Sequence, residues 1–405
     1  MESNQTLNNP HGFATRSIHA GQPPDAATGA IVTPIYATST FVQSAPGVNN
    51  GYDYARSGNP TRLAYELCIA DLEGGKRAFA FSSGMAATAT VTELLPQNAH
   101  IIASDDLYGG TYRLFSEVRS RSAGITVSYI NIKDREALER AIRPETAMIW
   151  VETPSNPKLK VVDLQMIADV GRKRGILTVA DNTFASPYLQ RPLEHGFDIV
   201  VHSATKYLNG HSDIIGGVAV VGDRPELSDR LAYLQNAIGA IASPFDSFLA
   251  MRGLKTLGLR VRQHCANAQT IAEYLAQHPC VARVHYPGLS THDQHDLARR
   301  QMIGGFGGMV TIELAGGLSE SLRFLERLKI FALAVSLGGV ESLIEHPVTM
   351  THASLPAERR ESLGLGDNLI RLSVGIEDVD DLVNDLDQAL GSGQESGHLR
   401  LALTH

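Results

Sequence analysis

A chain of 405 residues that is 43% hydrophobic can bury more than one sizeable core, which fits two or three domains or one large α/β unit with an appendage. Its net charge of −8, with acidic and basic residues interspersed, offers no basic face for a nucleic-acid backbone and no polybasic segment for anionic lipid, so neither nucleic acid nor membrane is an expected partner. Cys68, Cys265 and Cys280 are far apart and form no CxxC pair, and the opening "MESNQTLNNPHG" has no leader pattern, so the expectation is a cytoplasmic protein without a disulfide framework or a metal site.

Residues 1–60 are rich in Pro, Gly, Asn, Thr and Ser and show little periodicity, so they read as an arm without a core of its own. Residues 61–256 form the expected main domain. Within it, short apolar runs ("RAFAF", "AHIIAS", "ITVSYI", "AMIWVE", "GILTVAD", "FDIVVHS", "GVAVVG") alternate with helix-period segments such as "GMAATATVTELL", "DREALERAI" and "LQMIADVGRKRG". That alternation predicts an α/β fold with a mostly parallel seven-stranded sheet sandwiched by helices, and ligands beyond the carboxyl ends of its strands. From 257 to 391 long helical stretches, the strands "GGMVTIELAGG" and "NLIRLSVGIE" and the amphipathic "VDDLVNDLDQAL" predict a smaller C-terminal α+β domain. Residues 392–405 begin with flexible-linker composition and read as a tail.

The segments that follow the strands carry the chemistry. "AFAFSSGMAATATV" is strand, small-residue turn, then helix, so the amides near Ser83, Gly84 and Met85 point outward from a helix N-terminus, a place for phosphate. A tight turn with Ser82 or Ser83 as an ordinary N-cap accounts for the same residues. "HSATK" adds the hydroxyls of Ser203 and Thr205 beside Lys206, and lysine forms Schiff bases with carbonyls when its amine is partly deprotonated. A phosphate with a carbonyl suggests pyridoxal 5'-phosphate, whose ring nitrogen needs a carboxylate to stay protonated. Asp181 in "ILTVADNTF" stands at a strand end, Tyr108 in "DDLYGGTYR" offers a ring between glycines, and Asn156 in "ETPSNP" offers an amide to the cofactor's phenolate. Each is equally a capping, packing or turn residue when read alone. Five coincidences at strand ends are less economical than one cofactor. No Walker A loop or GxGxxG fingerprint follows a strand, which lowers the nucleotide readings.

The segments "YARSGNPTR", "FSSGMAA", "DLYGGTYR", "ETPSNP", "VADNTFASP", "VHSATKYLNGHSD", "AVSLGGVESLIEHP" and "IRLSVGIED" resemble the Cys/Met-metabolism family of fold-type I PLP enzymes, from about residue 12 to 391. The resemblance implies Lys206 as the covalent attachment point, Asp181 at the pyridine nitrogen, Tyr108 stacked on the ring and also the acid-base partner of the leaving group, and Asn156 near the ring oxygen. It implies a phosphate cup of Gly84, Met85, Ser203 and Thr205, completed by Tyr54 and Arg56 of a neighbouring subunit in a homotetramer of catalytic dimers. Arg371 would bind the substrate α-carboxylate, with Ser336 and Asn156 nearby and Arg113 at the distal end of the pocket. Strand alternation puts Leu369, Arg371 and Ser373 on one face, which is only partly apolar, so a solvated strand face is the other reading of Arg371.

The implied activity is a carbon–sulfur lyase of sulfur amino acids, cystathionine γ-elimination first, with γ-replacement on activated homoserine or methionine γ-elimination as alternatives. Two positions pull apart. Val335 stands where cystathionine enzymes of the family commonly carry Glu and methionine γ-lyases carry Val, whereas Gly110 stands where methionine γ-lyases usually have Cys. A carboxylate at 335 would pair with the distal ammonium of cystathionine, and valine gives apolar contact only.

Overall fold

The seven apolar runs become seven strands in a computed structural model that describes residues 10–353 and 356–391. They are β1 (Arg77–Phe81), β2 (His100–Ser104), β3 (Thr126–Ile130), β4 (Thr146–Glu152), β5 (Leu177–Asp181), β6 (Ile199–Ser203) and β7 (Gly217–Val221). Their order across the sheet is β1-β7-β6-β5-β4-β2-β3. Only β7 runs against its neighbours, pairing antiparallel with both β1 and β6. The remaining pairs are parallel. The fold is α/β of fold type I, as the alternation and the resemblance lead one to expect.

These strands read as continuous apolar runs because helices cover both sheet faces. Phe79, Phe81, Ile101, Trp150, Val179 and Val201 pack on one side, with Trp150 fully buried and its ring edge-on to Phe115 at 5.4 Å. Burying a side chain of this class stabilises by about 1.5–3 kcal/mol, and each face collects several. Ala80, Val218 and Val220 pack on the other side against Ile69 and Leu72 of the helix Pro60–Glu73. The covering helices have local start and stop signals. In Leu164–Arg174, Asp163 Oδ1 accepts from Met166 N at 2.9 Å, and Gly175 at φ 66° closes the last turn in the left-handed region glycine tolerates.

A second sheet comprises β8 (Val281–His285), β9 (Met309–Leu314), β10 (Ala332–Leu333), β11 (Leu343–Glu345) and β12 (Leu369–Ser373) in the order β10-β11-β12-β9-β8. The 19-residue helix Leu257–Leu275 belongs to both cores: Leu257 and Val261 pack with the first, Ile271 and Leu275 with the second. Before Pro60 the described chain has one short helix, Phe13–His19, and is otherwise irregular. The tail expected over 392–405 lies outside the described residues.

The parallel pairing puts the ends of β2, β4, β5 and β6 on one edge of the sheet, and the double reversal through β7 brings the end of β1 there too. Every strand-end segment singled out in the sequence therefore opens onto the same edge.

Candidate active site

Lys206 follows β6 by one turn, and its Nζ donates to Ser336 Oγ at 2.6 Å across the boundary between the two sheets. Burial, with the nearby Arg371 charge, pulls its pKa from 10.5 down to about 8, and Glu345 opposes that pull. Ser336 takes a backbone φ of +99°, rare for a residue with a side chain.

The end of β1 and the start of β7 fit together through glycine. A Cβ on Gly217 would lie 2.1 Å from Ser83 O, and one on Gly84 would lie 3.0 Å from Ser203 Cβ. With both side chains absent, the turn at Ser83 sits directly on the strand ends. Ser83 Oγ accepts from Ala86 N at 3.0 Å, so the serine is the N-cap of the helix Gly84–Thr92. The free first-turn amides and the Ser203 side chain share one corner, with Thr205 two residues on. Thr205 Oγ1 accepts from Gly216 N at 3.1 Å, which orients its hydroxyl. Outward-facing amides with two hydroxyls beside them form a cradle that fits a phosphate group.

Asp181 closes β5. Its Oδ1 accepts from Thr183 N at 3.1 Å and Thr183 Oγ1 at 2.6 Å, and Thr183 Oγ1 in turn accepts from Ser203 N at 2.9 Å. Burial pushes the Asp181 carboxyl up and the Thr183 bonds pull it down. Glu152 ends β4 directly opposite Asp181 in the β4–β5 register, and burial together with the Asp181 charge pushes its carboxyl well above the usual range. Glu152 Oε2 accepts from Tyr108 N at 2.8 Å, which anchors the loop after β2. The Tyr108 ring lies against Gly110, where a Cβ would come within 2.4 Å of Tyr108 Cε1 and 3.0 Å of Met85 Sδ. Any side chain at 110 would displace that ring, so Gly110 sets where Tyr108 sits beside the cradle.

Arg371 is 2% exposed, in a strand buried along its whole length. The solvated strand face allowed by alternation is therefore wrong, because both faces of β12 are covered. Its NH1 donates to Asn156 Oδ1 at 2.9 Å, its NH2 donates to Ser336 O at 2.9 Å, and Glu345 Oε1 lies 3.1 Å from NH1. Asn156, Ser336, Lys206 and Arg371 are thus joined by hydrogen bonds. Arg113 stands near Gly109, and Val335, next to Ser336, is 56% exposed.

Tyr54 and Arg56 are exposed, and Arg56 NH1 donates to Asn236 O at 2.6 Å rather than to the cradle of its own chain. Four participants escaped the sequence reading: Glu345, Glu152, Thr183 and Gly217. Glu152 and Thr183 carried a signal, since each adjoins a residue already singled out at a strand end. Glu345 and Gly217 carried none, since each acts on a residue distant in sequence.

Comparison with known proteins decides the family. The model of the Cys/Met metabolism PLP-dependent enzymes matches residues 14–391. This chain belongs to that family. A relative named cystathionine beta-lyase, from Coxiella burnetii, is 60% identical over 376 residues, 93% of this chain and 97% of that protein. A cystathionine gamma-lyase from Dictyostelium discoideum is 51% identical over 386 residues, 95% and 99% of the two chains. The crystal structure of cystathionine gamma-lyase from Lactobacillus plantarum complexed with L-serine superposes with a TM-score of 0.91 at 47% identity, covering 94% of this chain and 99% of that one. Pyridoxal 5'-phosphate is the cofactor, and the cradle and the buried lysine fit it. Among the described residues no helix is long and apolar enough to cross a membrane.

Proposed function

We propose that this enzyme cleaves L-cystathionine by α,γ-elimination, taking up water and releasing L-cysteine, 2-oxobutanoate and ammonia, with tolerance for other sulfur amino acids. The observation that carries the reading is the pairing of Lys206, a buried amine brought to about 8, with the buried guanidinium of Arg371 through the shared partner Ser336. An α-carboxylate on Arg371 puts the neighbouring Cα within the reach of Lys206 Nζ.

Bound pyridoxal phosphate supplies the electron-withdrawing ring that lets an amino acid lose its α-proton and then a β-proton. In this assignment the first-turn amides of Gly84 and Met85 with Ser203 and Thr205 would hold the phosphate, and Asp181, fixed by Thr183, would serve the ring nitrogen. Asn156, which accepts from Arg371 NH1, would serve the ring oxygen. Lys206 Nζ takes the Cα proton: with a pKa of about 8, about a tenth of the amine is neutral at pH 7, against well under a thousandth for an unperturbed lysine. Tyr108 Oη passes a proton to the departing sulfur. Val335 leaves the distal pocket without a carboxylate, which supports the broadened tolerance. Tyr54 and Arg56 are assigned to a neighbouring subunit's phosphate in a homotetramer, a reading supported by the exposure in the single chain of Ile31, Val42 and Ile215.

A second reading, α,β-elimination to homocysteine, pyruvate and ammonia, is favoured by the name of the Coxiella burnetii relative. The keto acid separates the two: 2-oxobutanoate from L-cystathionine supports γ-elimination, and pyruvate with homocysteine overturns it.

A further inference from the structure

The guanidinium of Arg371 already has a carboxylate. Glu345 and Arg371 face each other in the antiparallel register of β11 and β12, at 1% and 2% exposure, with the ion pair at 3.1 Å. The same oxygen, Glu345 Oε1, also accepts from Thr351 Oγ1 at 2.8 Å, which helps fix the carboxylate. Among the described residues Arg371 Nε and Glu345 Oε2 have no hydrogen-bond partner, so each group keeps unused capacity inside a buried site. A lone guanidinium at this depth would be costly, and the strand-to-strand pairing removes that cost before any substrate arrives.

We propose that Glu345 is a positioning residue that serves Arg371 as a stand-in carboxylate, holding the guanidinium in place and weakening its grip on the incoming α-carboxylate. This inference rests on the reading of Arg371 as the α-carboxylate site. Its consequence is kinetic: the pocket binds its amino acid loosely and releases carboxylate products readily, because Arg371 never presents a full unpaired charge. Glu345 lies near Lys206 as well, and holds the lysine's pKa above the value that Arg371 alone would set.

Acetate, the smallest carboxylate, is the probe, used on the holoenzyme. Glu345→Gln keeps the shape and the oxygen acceptor and removes only the charge. Acetate should then raise the melting temperature, and compete with L-cystathionine, at concentrations lower by about tenfold or more, since an opposite charge this close is worth one to three powers of ten. KM should fall by a larger factor than kcat changes, a split that loss of scaffolding would not produce. Unchanged acetate response and unchanged KM overturn the proposal. Should Glu345→Gln not fold, Thr351→Val loosens the same carboxylate and must shift the acetate response in the same direction by a smaller factor, and no shift there also overturns it. Arg371→Leu separates the two levels. If it abolishes the acetate response while the Glu345 variant is silent, only the role of Glu345 fails. If Arg371→Leu leaves the response intact, the carboxylate-site reading fails.

Discussion

The two halves of the site are held by different kinds of contact. On the seven-stranded sheet the fixing partners stay within that sheet and its turns: Thr183 holds Asp181 from two residues away, Ser83 caps an amide three residues on, and Glu152 accepts from Tyr108 N. On the five-stranded side they are remote: Lys206 reaches Ser336 across 130 residues and Arg371 reaches Asn156 across 215. The cofactor half is therefore assembled within one sheet, from short-range caps and from contacts between its strand ends, whereas the substrate half exists only once the two sheets have packed. A family built this way can keep one cofactor chemistry and vary its substrates.

The strongest way to break this contrast is at the residue belonging to both halves. Lys206→Ala should lower kcat by about 10⁴-fold, the upper end of what one positioned proton-transfer group contributes. It should cost little stability, because it removes a partly desolvated ammonium. Steady-state turnover alongside urea unfolding checks both, and a variant that unfolds readily would make Lys206 a structural tie between the sheets instead.

The same contrast explains what could be read in advance. All seven strands of the first sheet were legible, most because burial makes them short apolar runs between helical periods, and the partly exposed edge strand β3 through its β-branched residues. Ser83, Asp181 and Lys206 were legible because strand ends are where a parallel sheet collects ligands, and that rule needs sequence order alone. Glu345 was not, since nothing local distinguishes a glutamate in "SLIEHP" from a solvated one until β12 lies beside it. Alternation also failed for Arg371: a period of two marks opposite faces but does not say that both will be covered.

Acid sharpens the comparison. His264 and His352 are both fully buried beside the substrate half, His264 through its Nδ1–H to Val374 O at 2.7 Å, and burial lowers each pKa from 6.5 to about 4. A histidine with a lowered folded pKa is neutral in the folded chain while the unfolded chain protonates, so stability falls as pH drops from about 6.5 and levels off below about 4. Burial pushes Asp181 and Glu152 the opposite way, so protonation relieves them as pH falls. The expected loss from one such histidine between pH 7 and pH 5 is about 2 kcal/mol. His264→Asn, whose side-chain amide can replace the Nδ1 donor, should flatten that slope in urea unfolding at the two pH values. An unchanged slope would place the acid sensitivity away from His264.

The smallest expected effect concerns specificity. Val335 is the one substrate-half position where the residue type argues against a distal ammonium, and Val335→Glu supplies the carboxylate. Were the position buried, a new ion pair could be worth several kcal/mol or could cost as much in desolvation. It is 56% exposed, so water screens the pair and its contribution falls to about 0.2–1 kcal/mol. The ratio of kcat/KM for L-cystathionine to that for L-methionine should then rise by about 1.4- to fivefold. The new charge is added at an exposed position, so the visible absorption of the bound cofactor should stay as it is. A ratio that does not move would mean that the distal ammonium never approaches residue 335, and that tolerance is set instead by the ring of Tyr108, whose position Gly110 controls.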